Sequence, residues 1–246
     1  MAVRGKRLII DVSSIMWAAL LGGKDPECST VYQFEVKPGE FKDIEIPTIV
    51  HGYERALEAY LVALKESGTT PHQTILVLDG SNSASLRRFF SPEYKGNRPP
   101  RPSELIASFN GAIDAWKDDV LSLGGMVVWQ ESMEADDVIA FLCEKLEGEK
   151  VVMTRDKDLF ALRDEDVSCL YRGEFDAPAP WGPIEGDLGR SYARVWKALV
   201  GDNSDNIKGC TRRAKTEHRK GFGGFGEAKF LSLVSAFGDY GIQELD

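Results

Sequence analysis

Nine carboxylates stand at or just beyond the ends of apolar runs in this 246-residue chain. Asp11 closes "RLIID" and Asp79 closes "TILVLD"; Glu134, Asp136 and Asp137 cluster in "MEADD"; Asp156 and Asp158 follow "VVMTR"; Asp202 and Asp205 stand three apart in "GDNSDN". A lone acid after a strand reads equally well as a helix N-cap, accepting from backbone N–H groups left unpaired at the helix start. A stretch of Asp, Asn, Ser and Gly is an ordinary turn. Three acids within residues 134–137 exceed what one cap requires, and like charges so close repel unless a cation neutralises them. Carboxylate oxygens without His or Cys suit a hard divalent ion, Mg²⁺ or Mn²⁺. One such ion takes one or two carboxylates, so nine point to a pair, and ion pairs of this kind support in-line displacement at phosphorus.

These acids act together only if the fold gathers them. "RLIIDVSS", "QTILVLDGS", "GMVVWQESMEADD" and "KVVMTRDKD" each contain roughly four strand residues, too apolar for a sheet with one wet face and therefore buried on both sides. Between them, Tyr53, Leu57, Tyr60, Leu61 and Leu64, and then Leu105, Phe109, Ile113, Trp116 and Val120, recur at helical spacings. The pattern predicts an α/β fold, a mostly parallel central sheet flanked by helices, whose crevice at the carboxyl ends of the strands collects the acids. Residues 31–46 read as a β-hairpin around Pro38-Gly39, inserted after the first strand.

A composition of 43% hydrophobic and 28% charged residues supports one folded domain over residues 1–246. No apolar run approaches the roughly 18 residues of a membrane span. The apolar part of "MAVRGKRLIID" is short for a signal peptide, so a cytoplasmic protein without membrane contact is expected. Cys28, Cys143, Cys169 and Cys210 are far apart and form no CxxC, which predicts reduced thiols.

A net charge of −9 argues against a polyanionic partner, but it averages an uneven distribution. "SLRRFFSPEYKGNRPPR", residues 85–101, holds five basic residues and one acid, and "KGCTRRAKTEHRK", residues 208–220, holds six and one. Such segments grip phosphates locally on an acidic protein. Basic residues beside aromatics suit backbone contact with base stacking, while a solvated Pro- and Arg-rich loop accounts for the same composition. "GFGGFG" at 221–226 satisfies G-x-G-x-x-G, yet it follows a basic loop and leaves no room for a βαβ unit. Glycines before "EAKFLSLVSAF" suit a hairpin opening a helix, whose N–H groups hold a duplex phosphate.

The series "IIDVSS", "LVLDG", "PEYKGNR", "MEADDVIA", "TRDKDLF" and "GDNSDNI", in that order, resembles the metal-dependent 5′-nucleases. That family includes flap endonucleases, the 5′-nuclease domains of bacterial DNA polymerases and, closest in appearance, the small phage 5′-3′ exonucleases. "GFGGFGEAKF" resembles the family's helix-three-turn-helix. The resemblance implies a PIN-like core with a helical arch at 84–104 and a helix-three-turn-helix at 201–237. It implies that Asp11, Asp79, Glu134, Asp136, Asp137, Asp156, Asp158, Asp202 and Asp205 ligate two Mg²⁺ directly or through water, Mn²⁺ substituting. Lys95 and Arg98 would reach the scissile phosphate as catalytic residues, and Tyr94 would stack on a base. The DNA contacts implied are Arg87, Arg88, Tyr94, Lys95 and Arg98, then Arg212, Arg213, Lys215, Lys220, Gly221, Gly223, Gly224, Gly226 and Lys229, with K⁺ at the glycine hairpin. The implied activity is two-ion hydrolysis of DNA from the 5′ side, exonucleolytic or at 5′ flaps, in replication or repair. RNA in RNA–DNA hybrids is a further implied substrate, and no small-molecule cofactor is expected.

Other classes share parts of the pattern. A haloacid-dehalogenase-like phosphatase needs a second Asp two residues after its nucleophile, where Ser13 stands. A PIN-type ribonuclease shares the acidic sheet end without requiring the arch or the glycines, and a preference for RNA separates it. A non-catalytic DNA-binding protein would more often have lost some of the acids. The chain also departs from the family where "CTRRAKTEHRK" intervenes between "GDNSDNI" and the glycines, and where it ends at Asp246, soon after the hairpin's second helix.

Overall fold

Leu8, Ile9 and Ile10 are completely buried in the first strand, β1 (Arg7–Asp11), as an unbroken apolar run between two covered faces requires. The computed structural model describes residues 5–22, 26–37, 39–175, 201–202 and 205–208. β1 lies between β4 (Thr74–Val77) and β6 (Lys150–Thr154), parallel to both. β5 (Met126–Val128) extends the parallel sheet beyond β4, β7 (Val167–Tyr171) extends it beyond β6, and β8 (Glu174–Phe175) closes that edge antiparallel. The order is β5-β4-β1-β6-β7-β8.

Alternation along the strands sends side chains to two cores. Leu8, Ile10, Leu76, Val151 and Met153 pack against α1 (Val12–Leu21), α2 (Ile49–Ser67) and α4 (Ser103–Ser122), where Trp116 meets Tyr60 edge-on with ring centroids 6.2 Å apart. Ile9, Ile75, Val77 and Val152 pack against α5 (Ala135–Lys145) and a 3-10 helix at Lys157–Leu162. The predicted layers are therefore present, with three differences. Leu61 is 57% exposed, because α2 turns Ala56, Tyr60 and Ala63 to the core and position 61 falls about 100° away. β5 is three residues long and only half-buried, since it lies at the edge of the sheet. β7 is an additional parallel strand.

The hairpin pairs β2 (Ser29–Lys37) with β3 (Glu40–Pro47) and follows α1, starting slightly earlier than the sequence indicates. Gly39, at φ +78°, supplies the left-handed turn position. The glycine segment at 221–226, most of the expected helix-three-turn-helix at 201–237, and Cys210 lie outside the described residues.

Candidate active site

The carboxyl ends of β1, β4 and β6 and the start of α5 meet at one rim of the sheet. Asp11, 3% exposed, caps α1 through the Ser14 N–H at 3.2 Å and accepts from Thr154 Oγ1 at 2.8 Å. Asp79, just beyond β4, accepts from Ser13 Oγ at 2.6 Å and from the Ala135 N–H at 2.9 Å, so an acid from one strand tethers the first turn of α5. Glu134 is the N-cap residue of α5, and Asp136 and Asp137 occupy its first turn, where the helix dipole favours negative charge. Asp156 caps the 3-10 helix through the Asp158 N–H at 2.9 Å, while its own N–H donates to Thr154 Oγ1 at 2.9 Å. Capping and convergence thus coexist: the acids that cap are also the acids at the rim.

Their electrostatics are unfavourable. Asp136 is pushed up to about 8, first by burial and then by the charges of Asp11 and Asp156, with Arg87 offsetting part of the effect. Asp11 is raised as well, by burial that outweighs its hydrogen bonds to Ser14 and Thr154. A partly buried, all-oxygen set that repels itself fits a hard divalent cation in donor type and in charge. The gathering is looser than ligation requires: among the described residues no three Asp, Glu, His or Cys side chains are grouped to hold an ion. Long-range repulsion reaches between these carboxylates, while their oxygens are turned onto Ser14, Thr154 and the Asp158 N–H.

The basic segment at 84–104 leans onto the same rim. It contains α3 (Ser85–Phe90) and then tight turns to Arg98. Arg87 lies 2.6 Å from Glu134 and 2.8 Å from Asp137, Lys95 Nζ lies 2.6 Å from Glu134, and Arg98 pairs with Asp205. Lys95 holds a left-handed φ of +54°, which costs a non-glycine residue about 1 kcal/mol. Its N–H donates to the Asp205 carbonyl at 2.9 Å, which helps fix that conformation. Asn206 Nδ2 donates to the Glu93 carbonyl at 2.8 Å, and the Asp205 N–H to Asp202 Oδ1 at 3.3 Å. The short hairpin of β9 (Gly201–Asp202) and β10 (Ile207–Lys208) is thereby stitched to the basic segment. Cations of the chain itself therefore neutralise Glu134, Asp137 and Asp205, a balance the sequence reading assigned to metal alone.

Tyr94 departs from expectation. Its side chain is 1% exposed, so it offers no face for a base to stack on. The hydroxyl accepts from Arg87 at 2.8 Å and stands 2.8 Å from Glu134 and 3.0 Å from Asp205, so its single proton serves one carboxylate at a time. Burial, and then Glu134, push the phenol up. Tyr94 is a buried connector between the α5 acids and Asp205. Within residues 84–104 it is Phe89 and Phe90 that face outward, 80% and 78% exposed, with ring centroids 5.2 Å apart. They stand in "RRFF" of the same segment, where two aromatics directly after two arginines are the sequence signal for them. The hydroxyls of Ser13 and Thr154 donate to Asp79 and Asp11, and the Ser14 N–H to Asp11; none of the three belongs to a charge pattern that marks it in the sequence. Arg88 Nε approaches the Tyr94 carbonyl at 3.4 Å. Arg212, Arg213, Lys215, Lys220, Gly221, Gly223, Gly224, Gly226 and Lys229, with the implied K⁺ position, lie outside the described residues.

Comparison with known proteins adds a second line. Residues 46–181 match the family model described as the 5′-3′ exonuclease, N-terminal resolvase-like domain. That span contains Asp79, Glu134, Asp136, Asp137, Asp156 and Asp158, with Asp11, Asp202 and Asp205 flanking it. The thermostable DNA polymerase I of Thermus filiformis is 32% identical over 200 residues, which are 77% of this chain and 20% of the polymerase. DNA polymerase I of Mycobacterium tuberculosis is 38% identical over 133 residues, 50% of this chain and 14% of the polymerase. The chain thus spans a fifth or less of the length of these relatives. Among solved structures, the 5′-exonuclease of phage T5 with bound zinc ions superposes with a TM-score of 0.58 at 19% identity, covering 95% of this chain and 76% of that one. The flap endonuclease of the same phage, in a pseudo-enzyme–product complex with DNA and metal ions, gives 0.57 at 18% identity with the same coverage.

Proposed function

Since the chain belongs to the family of 5′-3′ exonuclease N-terminal resolvase-like domains, we propose that it hydrolyses DNA phosphodiesters from the 5′ side, at free ends or flaps, with divalent metal. The observation that carries this reading is the convergence of buried Asp11 with half-buried Asp136 and Asp156 at one sheet rim, mutually repelling, beneath a segment that brings Arg87, Lys95 and Arg98 to the neighbouring acids. Asp11, Asp136 and Asp156, with Asp79, Glu134, Asp137, Asp158, Asp202 and Asp205 around them, would hold two Mg²⁺. Bound there, the ions supply a lowered water pKa and charge stabilisation at phosphorus.

The chain's own groups do the rest. Thr154 and Ser14 orient Asp11, and Asp79 fixes the start of α5 through the Ala135 N–H. Lys95 and Arg98, held at the rim by Glu134 and Asp205, place two positive charges where a phosphate develops negative charge in the transition state. Phe89 and Phe90 present aromatic faces to unpaired bases, with Arg88 on the same short helix for the backbone. K⁺ at the glycine hairpin, cleavage of RNA in RNA–DNA hybrids and a cytoplasmic site of action belong to the same reading.

The test uses flap, nicked and blunt duplexes labelled at the 5′ or the 3′ end, in DNA and in RNA–DNA form, with Mg²⁺ and with EDTA. Release of short products from the 5′ label, abolished by EDTA, is expected. Cleavage that survives EDTA, or that starts from the 3′ end, overturns the proposal.

A further inference from the structure

A pocket of about 240 Å³ opens between α1, α2 and the carboxyl ends of β6 and β7. Thr154 lines it, and the same hydroxyl donates to Asp11 at 2.8 Å, so the pocket and the acidic rim share a wall. Their charges are opposite. Arg55 on α2, Arg155 just past β6 and Arg172 in the β7–β8 turn surround an apolar floor that includes Ile15 and Leu170, and Glu58 is the one acid in the lining. None of the three arginines makes an ion pair among the described residues, whereas Arg87, Lys95 and Arg98 all do. The three lie near enough that the charges of Arg172 and Arg55 add to partial desolvation in lowering the proton affinity of Arg155. Arg172 is held at φ +55°, a left-handed position uncommon for a residue with a side chain.

Three guanidiniums around one pocket, none within ion-pair distance of its one carboxylate, Glu58, carry a net positive charge there, and an anion among them relieves their repulsion. The planar fork of arginine matches phosphate oxygens two at a time. The volume falls below the roughly 300–1,000 Å³ of pockets that engulf a whole small molecule, so it suits one group of a longer ligand. The pocket also opens at the same end of the strands as the acids, where a polyanion seated at the rim would continue across it. We propose that Arg55, Arg155 and Arg172 form a subsite for one backbone phosphate of the DNA duplex, separate from the phosphate that is cleaved. This inference rests on the nuclease reading above.

Binding of a fluorescent nicked duplex in EDTA, followed by anisotropy over a KCl series, isolates the subsite from the chemistry. Wild type, Arg172→Gln and Arg155→Gln/Arg172→Gln are compared with Lys117→Gln, which removes one positive charge on α4 at a residue that does not line the pocket. The double variant is expected to flatten the slope of log affinity against log salt by about one unit and to weaken binding ~10-fold near 0.1 M KCl. Arg172→Gln follows in the same direction, and Lys117→Gln matches wild type. The loss should be equal on 5′-hydroxyl and 5′-phosphate forms of the duplex. Loss confined to the 5′-phosphate form would assign the pocket to a terminal monoester and overturn the backbone assignment. Arginine variants that bind like Lys117→Gln, on a wild type that binds and cleaves, sink the subsite alone. A wild type that neither binds DNA nor cleaves it with Mg²⁺ sinks the nuclease reading and the subsite together. All three arginines are exposed, so the substitutions leave the core intact, and Arg172→Gln alone carries the test if the double variant misfolds.

Discussion

Two groups of basic side chains flank the acidic rim, and the fold treats them oppositely. Arg87, Lys95 and Arg98 each end on a carboxylate, with Glu134 only 5% exposed at the side chain between two of them. Arg55, Arg155 and Arg172 surround a pocket whose single acid none of them contacts within ion-pair distance. Removing a paired cation strands a buried acid, whereas removing an unpaired one relieves repulsion between like charges. The first group belongs to the internal charge balance of the site, and the second has its charge available to an outside anion. All six side chains carry the same charge, and what they touch separates the two groups.

The largest effect should come from an acid whose charge these cations offset only in part. Asp136 is held near 8 against 3.8 in an unfolded chain, so between those values the folded state keeps a proton that the unfolded state has lost. Stability then falls as pH rises through that window, because the unfolded chain binds fewer protons. Asp136→Asn removes the effect. In EDTA the variant should match wild type near pH 4 and gain on it up to about pH 8, by an amount on the order of several kcal/mol. Denaturant midpoints across that range provide the measurement, and a constant difference would show that Asp136 titrates normally. Activity in Mg²⁺ should be lost in the same variant.

Next in size, Lys95→Ala should slow single-turnover cleavage by about 10²-fold or more, the scale of one transition-state electrostatic group. Because Lys95 Nζ lies 2.6 Å from Glu134, the Mg²⁺ midpoint should also move, to lower concentration, as a competing cation leaves. An unmoved midpoint with a slowed rate would place Lys95 on the substrate alone. Arg87→Gln should destabilise by about 2 kcal/mol, a few degrees in melting temperature, since Glu134 and Asp137 both lose a partner while Lys95 still covers Glu134. The smallest effect is expected of Arg172→Gln, a change within about 0.5 kcal/mol and toward greater stability. Among the described residues its guanidinium has no carboxylate partner, and it stands 5.2 Å from the centre of the Tyr171 ring; a loss as large as that of Arg87→Gln would mean that this contact is structural, and the contrast between the two groups would fail.

The elements that position the site were readable to the extent that they repeat. Buried runs such as "RLIID" and "KVVMT", and the periodicity of Ile113, Trp116 and Val120, gave the sheet and its helices, because burial on one or both faces imposes a short-range pattern. Leu61 and β5 escaped that logic. An apolar residue beside a helical stripe, or a strand at a sheet edge, carries no local mark of its exposure.

Residue type and order along the chain were enough to specify an acidic rim at the strand ends, two basic segments and an α/β core, since these follow from chemistry and short-range period. Which charges meet was settled by packing alone. Glu134 and Lys95 are 39 residues apart, Tyr94 and Asp205 are 111 apart, and Arg55, Arg155 and Arg172 come from three separate elements. Local pattern carries no information about such distant pairs. The crossings that bring β1, β4 and β6 side by side decide them, and with them whether a given arginine closes on an acid or stays open to a phosphate.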